Sequence, residues 1–212
     1  MSLTRIIAVR HGETAWNAQT RIQGHMDIGL NDTGQRQAQA LAQALADEPI
    51  HAIYTSDLAR AWQTAQAIGQ ASGQAVQTHI GLRERHFGAF QGRTHTEIES
   101  SWPEQVLRWR GRDPHWEPEG GESLACLRER IVNTTAELAQ RHPDQQIVLV
   151  AHGGVLDMLY RCANGLDVQA ARTWQLGNAT INRLIWRPSG MELVQWCDAR
   201  HLENGALDEL ST

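Results

Sequence analysis

The chain has 212 residues, 41% of them apolar, with 24 acidic against 19 basic side chains and a net charge of −5. That is enough for one hydrophobic core and one expected domain over residues 1–212, and its mixed charge offers no basic face for nucleic acid or anionic lipid. All 19 basic residues are arginine, which excludes Schiff-base and pyridoxal phosphate chemistry and the phosphate-loop lysine, and leaves guanidinium forks as the means of gripping a phosphate.

Read in chain order, the pattern alternates strands with helices. Residues 5–9 (RIIAV) form a continuous apolar run, the signature of a strand covered on both faces. Asp32 and Gln35 have the spacing of a capping box, followed by Ala38, Leu41, Ala42 and Leu45 at helical spacing up to Pro49. Residues 50–55 (IHAIYT) predict a second strand and residues 56–73 (SDLARAWQTAQAIGQASG) a helix ending in glycine. A short strand, AVQTH, then leads into the irregular GLRERHFGAFQG and a Trp- and Arg-bearing stretch to Gly121. Ser123 to about Arg141 is helical in pattern, QQIVLVA is the strongest buried strand, and GVLDMLYRCANG is a helix closed by Asn-Gly. The terminal TINRLIWRPSGMELVQW reads as a hairpin turning at Pro188–Gly190. No repeat of 20 to 50 residues is present.

Strands alternating with helices predict a largely parallel sheet covered on both faces, with ligands gathering beyond the carboxyl ends of the strands. Three strand ends carry chemistry: Arg10 and His11 after the first, Ser56 to Arg60 after the second, and His152 after QQIVLVA. If these ends are neighbours, two imidazoles, two guanidiniums and the amino termini of helices converge on one anion-sized volume. Gly12, Gly153 and Gly154 would let the backbone approach the anion. Arginines suffice for binding, and two histidines suggest reaction, because a neutral imidazole can attack phosphorus and split a slow hydrolysis into two easier steps.

At this point RHGETAWN, Arg60 in SDLARAWQTA, Glu84 in LRERHFGAFQG and VAHGG, in that order, resemble the histidine phosphatase superfamily, the phosphoglycerate mutase-like family. The resemblance runs from about residue 5 to 185. It implies a three-layer α/β/α sandwich, mostly parallel with one antiparallel strand. It also implies His11 as nucleophile, Glu84 as general acid and base, and Arg10, Arg60 and His152 as the clamp on the phosphoryl oxygens. Asn17 and Gln23, in TAWN and RIQGH, are similar to positions lining the phosphate pocket of phosphatase members, and Gly153 is expected beside them. No metal and no cofactor is implied. The expected partner is a small-molecule phosphate monoester, with neither nucleic acid nor membrane involved, and a homodimer is the default assembly.

Two guanidiniums should lower the imidazole pKa from about 6.5 and keep His11 neutral. The same cations should favour ionised Glu84, whose reference value is about 4.3, so burial or the arriving dianion must raise it for proton donation. The remaining histidines, His25 and His95 among them, are expected to be structural or exposed, and Arg83, Arg85 and His86 to lie at the surface or behind the site. Trp102, Trp109 and Trp116 read equally well as a substrate lid or as packing.

Hydrolysis is favoured over phosphoglycerate mutase activity because only 36 residues of mixed charge separate Glu84 from Gly121, where mutases carry a long basic insertion. A zinc site of His11, His152 and Glu84 fits poorly beside two guanidiniums. A non-catalytic phosphoryl-binding module is the third alternative. Ser123 lacks the glycine and the preceding strand of a nucleophile elbow. Cys126, Cys162 and Cys197 are odd in number and widely spaced, which predicts reduced thiols. With no leader before a first strand near Leu3 and no apolar run of about 18 residues, the expected location is cytoplasmic.

Overall fold

The computed structural model describes residues 2–202 and 206–208. Six strands form one sheet: β1 (Thr4–Arg10), β2 (Ala52–Thr55), β3 (Val76–Thr78), β4 (Gln146–Ala151), β5 (Ile181–Arg187) and β6 (Gly190–Asp198). Their spatial order is β3-β2-β4-β1-β5-β6. The first four run parallel, and β5 pairs antiparallel with both β1 and β6, so β5 alone is reversed. The longer helices are α2 (Asp32–Ala44), α3 (Ala59–Ser72), α6 (Leu124–Gln140) and α7 (Gly153–Ala163); α1 (Ala15–Ala18), α4 (His95–Ser101) and α5 (Pro103–Arg110) are short.

Alternation along the strands divides the core into two layers. Ile6 and Ala8 of β1, with Ile147 and Leu149 of β4, pack under Leu127, Ile131, Leu156 and Leu159 of α6 and α7. Ile7, Val9, Val148 and Val150 face the other way, against Leu41, Ala61, Ala65 and Ile68 of α2 and α3. This is the expected α/β/α sandwich. Both faces of β1 and β4 are covered, which is why their sequences read as unbroken apolar runs.

Two local features differ from the sequence expectation. Asp32 does not cap α2; Asn31 does, its side chain accepting from Gly34 N at 2.8 Å, so Asp32 sits in the first turn where its charge favours the helix dipole. The Trp- and Arg-bearing stretch before Gly121, for which the sequence pattern predicted no element, also holds two helices. Thr94 and Glu97 form a capping box opening α4, and Pro103 occupies the first turn of α5. Both signals are present in the sequence, but the helices they start are too short to show a period. They close a separate small core of Phe90, Ile98, Val106, Trp109 and Trp116. Among the described residues no helix is long and apolar enough to cross a membrane.

Gly34 is the tightest seam in this frame. Added β-carbons at Gly34 and Gly12 would meet backbone oxygens, Glu13 O and Gly34 O respectively, so at these two glycines the loop after β1 and the first turn of α2 touch main chain to main chain. Gly34→Ala is therefore expected to destabilise the fold by about 1–3 kcal/mol, read as a lower urea midpoint at unchanged slope.

Candidate active site

The site begins with a register. β1 and β4 pair with Arg10 opposite Ala151, and the next amide, His11 N, still donates to Ala151 O at 3.0 Å. The chain leaves both strands at the same level, and the His11 and His152 rings lie with centroids 5.2 Å apart and planes tilted by 59°. Both are buried, at 2% and 0% exposure.

Arg60, in the first turn of α3 beyond the end of β2, reaches into this gap. Its Nε donates to His11 Nε2 at 3.3 Å, while Nη1 and Nη2 donate to Met26 O and Gly24 O at 2.9 and 2.8 Å. On the other side of the ring His11 Nδ1 lies 2.7 Å from Gly12 O. A carbonyl only accepts, so Nδ1 carries the proton and Nε2 presents its lone pair to the Arg60 side. Arg10 is buried and is held by a 2.6 Å bond from Nη1 to Leu176 O.

Glu84 arrives from a loop. Its Oε1 accepts from its neighbour Arg85 N at 2.7 Å and from Gly154 N, in the first turn of α7, at 3.0 Å. His152 is the N-cap of that helix, so one helix end positions both groups. A β-carbon at Gly154 would overlap Glu84 Oε1, which explains the second glycine of VAHGG: the carboxylate approaches the backbone directly. In α1, Thr14 and Asn17 form a capping box, and Asn17 Oδ1 accepts from Thr14 N at 3.0 Å. Gln23 Oε1 accepts from Thr14 Oγ1 at 3.1 Å. Both amides thus spend their oxygens on Thr14, and their NH2 groups remain as donors.

Arg10, His11, Asn17, Gln23, Arg60, Glu84 and Gly153 all line one cavity. His152 does not line it; it lies wholly buried, and among the described residues neither ring nitrogen meets a hydrogen-bond partner. Several lining residues were expected elsewhere. Arg85, expected at the surface or behind the site, is 3% exposed, with its pKa lowered to about 10 chiefly by burial, and forms part of the cavity wall. His95 also lines the cavity, stacked at 5.0 Å on Trp109. His25 is partly buried, with its Nε2 2.8 Å from the main-chain Glu84 O. Trp109 both packs in the small core and faces the cavity beside Phe87 and Trp16, whereas Trp102 and Trp116 pack. Among the described residues no group of three or more His, Cys, Asp and Glu side chains is arranged to hold a metal ion.

Both histidines have pKa values well below the ordinary 6.5. Burial is the largest cause, followed by the Arg60 guanidinium, with Arg10 adding to it in each case; the hydrogen bond to Gly12 O opposes the shift at His11. Burial thus contributes more than the flanking cations that the sequence alone suggested. The unfolded chain protonates these groups near pH 6.5 while the folded chain resists, so stability is full above that pH and falls as pH drops below it. The slope is at most ~1.4 kcal/mol per pH unit for each histidine. Thermal unfolding between pH 7.5 and 5.5 is expected to show this loss, and a His11→Asn, His152→Asn protein to show a shallower one.

The family described as "Histidine phosphatase superfamily (branch 1)" matches residues 6–199. "Phosphoglycerate mutase-like protein 4" of Arabidopsis thaliana is 39% identical over 202 residues, 93% of this chain and 86% of that protein. "Glucosyl-3-phosphoglycerate phosphatase" of Mycolicibacterium vanbaalenii is 41% identical over 175 residues, 79% of this chain and 77% of its own length. The solved native structure of a mycobacterial glucosyl-3-phosphoglycerate phosphatase superposes with a TM-score of 0.82 at 34% identity, covering 92% of this chain and 99% of that one. The chain belongs to the histidine phosphatase superfamily, branch 1.

Proposed function

We propose that this protein hydrolyses phosphate monoesters of small metabolites through a phosphohistidine on His11. The observation that carries the reading is the locked tautomer: Nδ1–H is tied to Gly12 O, so Nε2 keeps the lone pair, which accepts a 3.3 Å hydrogen bond from Arg60 Nε at the cavity wall. Arg10 and Arg60 hold the phosphoryl oxygens, with the Asn17 and Gln23 amides and the Gly153 backbone as further donors at the cavity wall. His152, buried beside His11 and with no hydrogen-bond partner for its ring nitrogens among the described residues, takes a proton as the dianion arrives and adds a positive donor behind it.

In the first step His11 Nε2 bonds to phosphorus as the ester P–O bond breaks, and protonated Glu84 passes its proton to the departing oxygen. In the second, the Glu84 carboxylate takes a proton from water, the resulting hydroxide bonds to phosphorus, and the P–N bond breaks. Orthophosphate leaves, with His11 neutral and Glu84 protonated as at the start. The outer wall of Trp16, Phe87, His95 and Trp109 receives the alcohol portion. The relatives named as phosphatases acting on glucosyl-3-phosphoglycerate support a hydrolase reading and a compact phosphorylated acid as the first substrate to try.

The name of the Arabidopsis relative keeps a second reading alive, phosphoryl return to another hydroxyl of a phosphoglycerate. The segment between Glu84 and Gly121 weighs against it. It folds into α4, α5 and a small aromatic core, not into a basic arm able to hold a bisphosphate.

Three outcomes are expected. His11→Ala loses p-nitrophenyl phosphate hydrolysis by at least about 10³-fold, and rapid quenching of the wild type with labelled substrate traps an acid-labile, base-stable phosphoryl adduct absent from the variant. Because Glu84 must carry a proton to act as acid, kcat/KM is greatest at mildly acidic to neutral pH; a rate still climbing at pH 9 contradicts the assignment. Supplied with 3-phosphoglycerate, the enzyme releases orthophosphate faster than it forms the 2-isomer, and the reverse ratio would favour the mutase.

A further inference from the structure

Glu84 sits on a segment with little regular structure: one tight turn at Ile80–Leu82, then chain in neither helix nor strand to His86. Among the described residues no strand pairs with it, so its carbonyls need partners from elsewhere. Arg130, near the middle of α6, supplies them. Its Nη1 donates to Gly81 O at 2.9 Å and Arg83 O at 2.8 Å, and its Nη2 donates to Glu84 O at 3.3 Å. The remaining N–H groups form a two-point pair with Glu122, Nε to Oε1 at 2.8 Å and Nη2 to Oε2 at 2.6 Å. Five donors therefore meet five acceptors, the full capacity of a guanidinium.

Glu122 grips the same segment from its other side. Its Oε2 accepts from His86 N at 3.3 Å, its backbone N donates to His86 O at 2.8 Å, and its carbonyl accepts from Arg85 Nε at 2.8 Å. His25 Nε2 completes the arrangement at Glu84 O. The main chain of residue 84 is thus pinned by α6, while its carboxylate is pinned by the first turn of α7. Arg130 does not line the cavity, and it meets Glu84 at the main-chain carbonyl, not at the carboxyl group.

We infer that Arg130, seated on Glu122, is a positioning residue: it sets where the Glu84 carboxyl stands against the departing oxygen, and so governs proton donation without contacting the substrate. The inference rests on the proposed role of Glu84 as proton donor. A lysine cannot reproduce it, because a single ammonium has three donors and no planar fork. A displacement of about 1 Å in a reacting group is enough for a loss near 10²-fold.

The test compares kcat and KM for p-nitrophenyl phosphate, whose acidic phenol departs with little help, and phenyl phosphate, whose leaving oxygen needs the proton. Wild type, Glu84→Gln, Arg130→Met and Arg130→Lys are measured, with inhibition by orthophosphate as a report on the phosphate cradle. Glu84→Gln is expected to lose phenyl phosphate turnover far more than p-nitrophenyl phosphate turnover. Both Arg130 variants are expected to repeat that imbalance in milder form. Their kcat on phenyl phosphate falls by about 10²-fold and on p-nitrophenyl phosphate by less than about 10-fold, with KM and orthophosphate inhibition unchanged. If Arg130→Met does not fold, Arg130→Lys carries the same expectation. Equal losses on both esters, no loss, or weakened orthophosphate inhibition in the folded variant overturns the positioning role and leaves the Glu84 reading intact. Absence of the imbalance in Glu84→Gln itself overturns the Glu84 reading and this inference with it.

Discussion

The parallel pairing of β1 with β4 is the constraint on which the site depends. Two segments some 140 residues apart are held in a register that places Arg10 opposite Ala151, and the sheet's spacing then leaves His11 and His152 side by side where both chains end. A slip of β1 by one residue would move Ile7 and Val9 from the layer under α2 and α3 into the layer under α6 and α7, where Ile6 and Ala8 fit, and every contact of both layers would have to be remade. The same hydrophobic pattern that buries the core therefore fixes the distance between the two imidazoles. β4 inserts between β1 and β2, and this crossover also brings the end of β2, and with it Arg60, to the same rim.

Around that rim the protein keeps two histidines neutral by burying them beside cations, an arrangement that is unfavourable for folding at low pH and favourable for a nucleophile at neutral pH. The guanidiniums are restrained by main-chain carbonyls: Gly24, Met26 and Leu176 accept from Arg60 and Arg10. Donors held in this way keep their charge and orientation and need little rearrangement when an anion arrives. Glu84 is treated differently. Its carboxylate accepts main-chain N–H groups, including one at a helix amino terminus, and its backbone is gripped by Arg130 and His25.

The segment between the sheet and α6 builds the other half of the cavity. Its core of Phe90, Ile98, Val106, Trp109 and Trp116 is separate from the two layers flanking the sheet, and it turns Trp109 and the stacked His95 into the cavity. This wall of the cavity thus rests on its own small packing unit. Its side chains can differ between relatives without disturbing the register that holds the two histidines.

Much of this was determined by the sequence itself. The continuous runs RIIAV and QQIVLVA require doubly covered strands, Gly73 and Gly165 end their helices in left-handed conformations, and the ordered RHGETAWN, Arg60, Glu84 and VAHGG identify the residues that the fold gathers at one rim. These are local properties, legible because apolar period and turn chemistry act over a few residues. Tertiary structure alone decided the rest: Asn31 rather than Asp32 as the cap of α2, burial rather than charge as the main force on the two histidines, Arg85 and His95 in the cavity wall, and Arg130 beneath Glu84. Each of these depends on what lies opposite a side chain once distant segments meet, and no periodicity along the chain records which carbonyl or ring that will be.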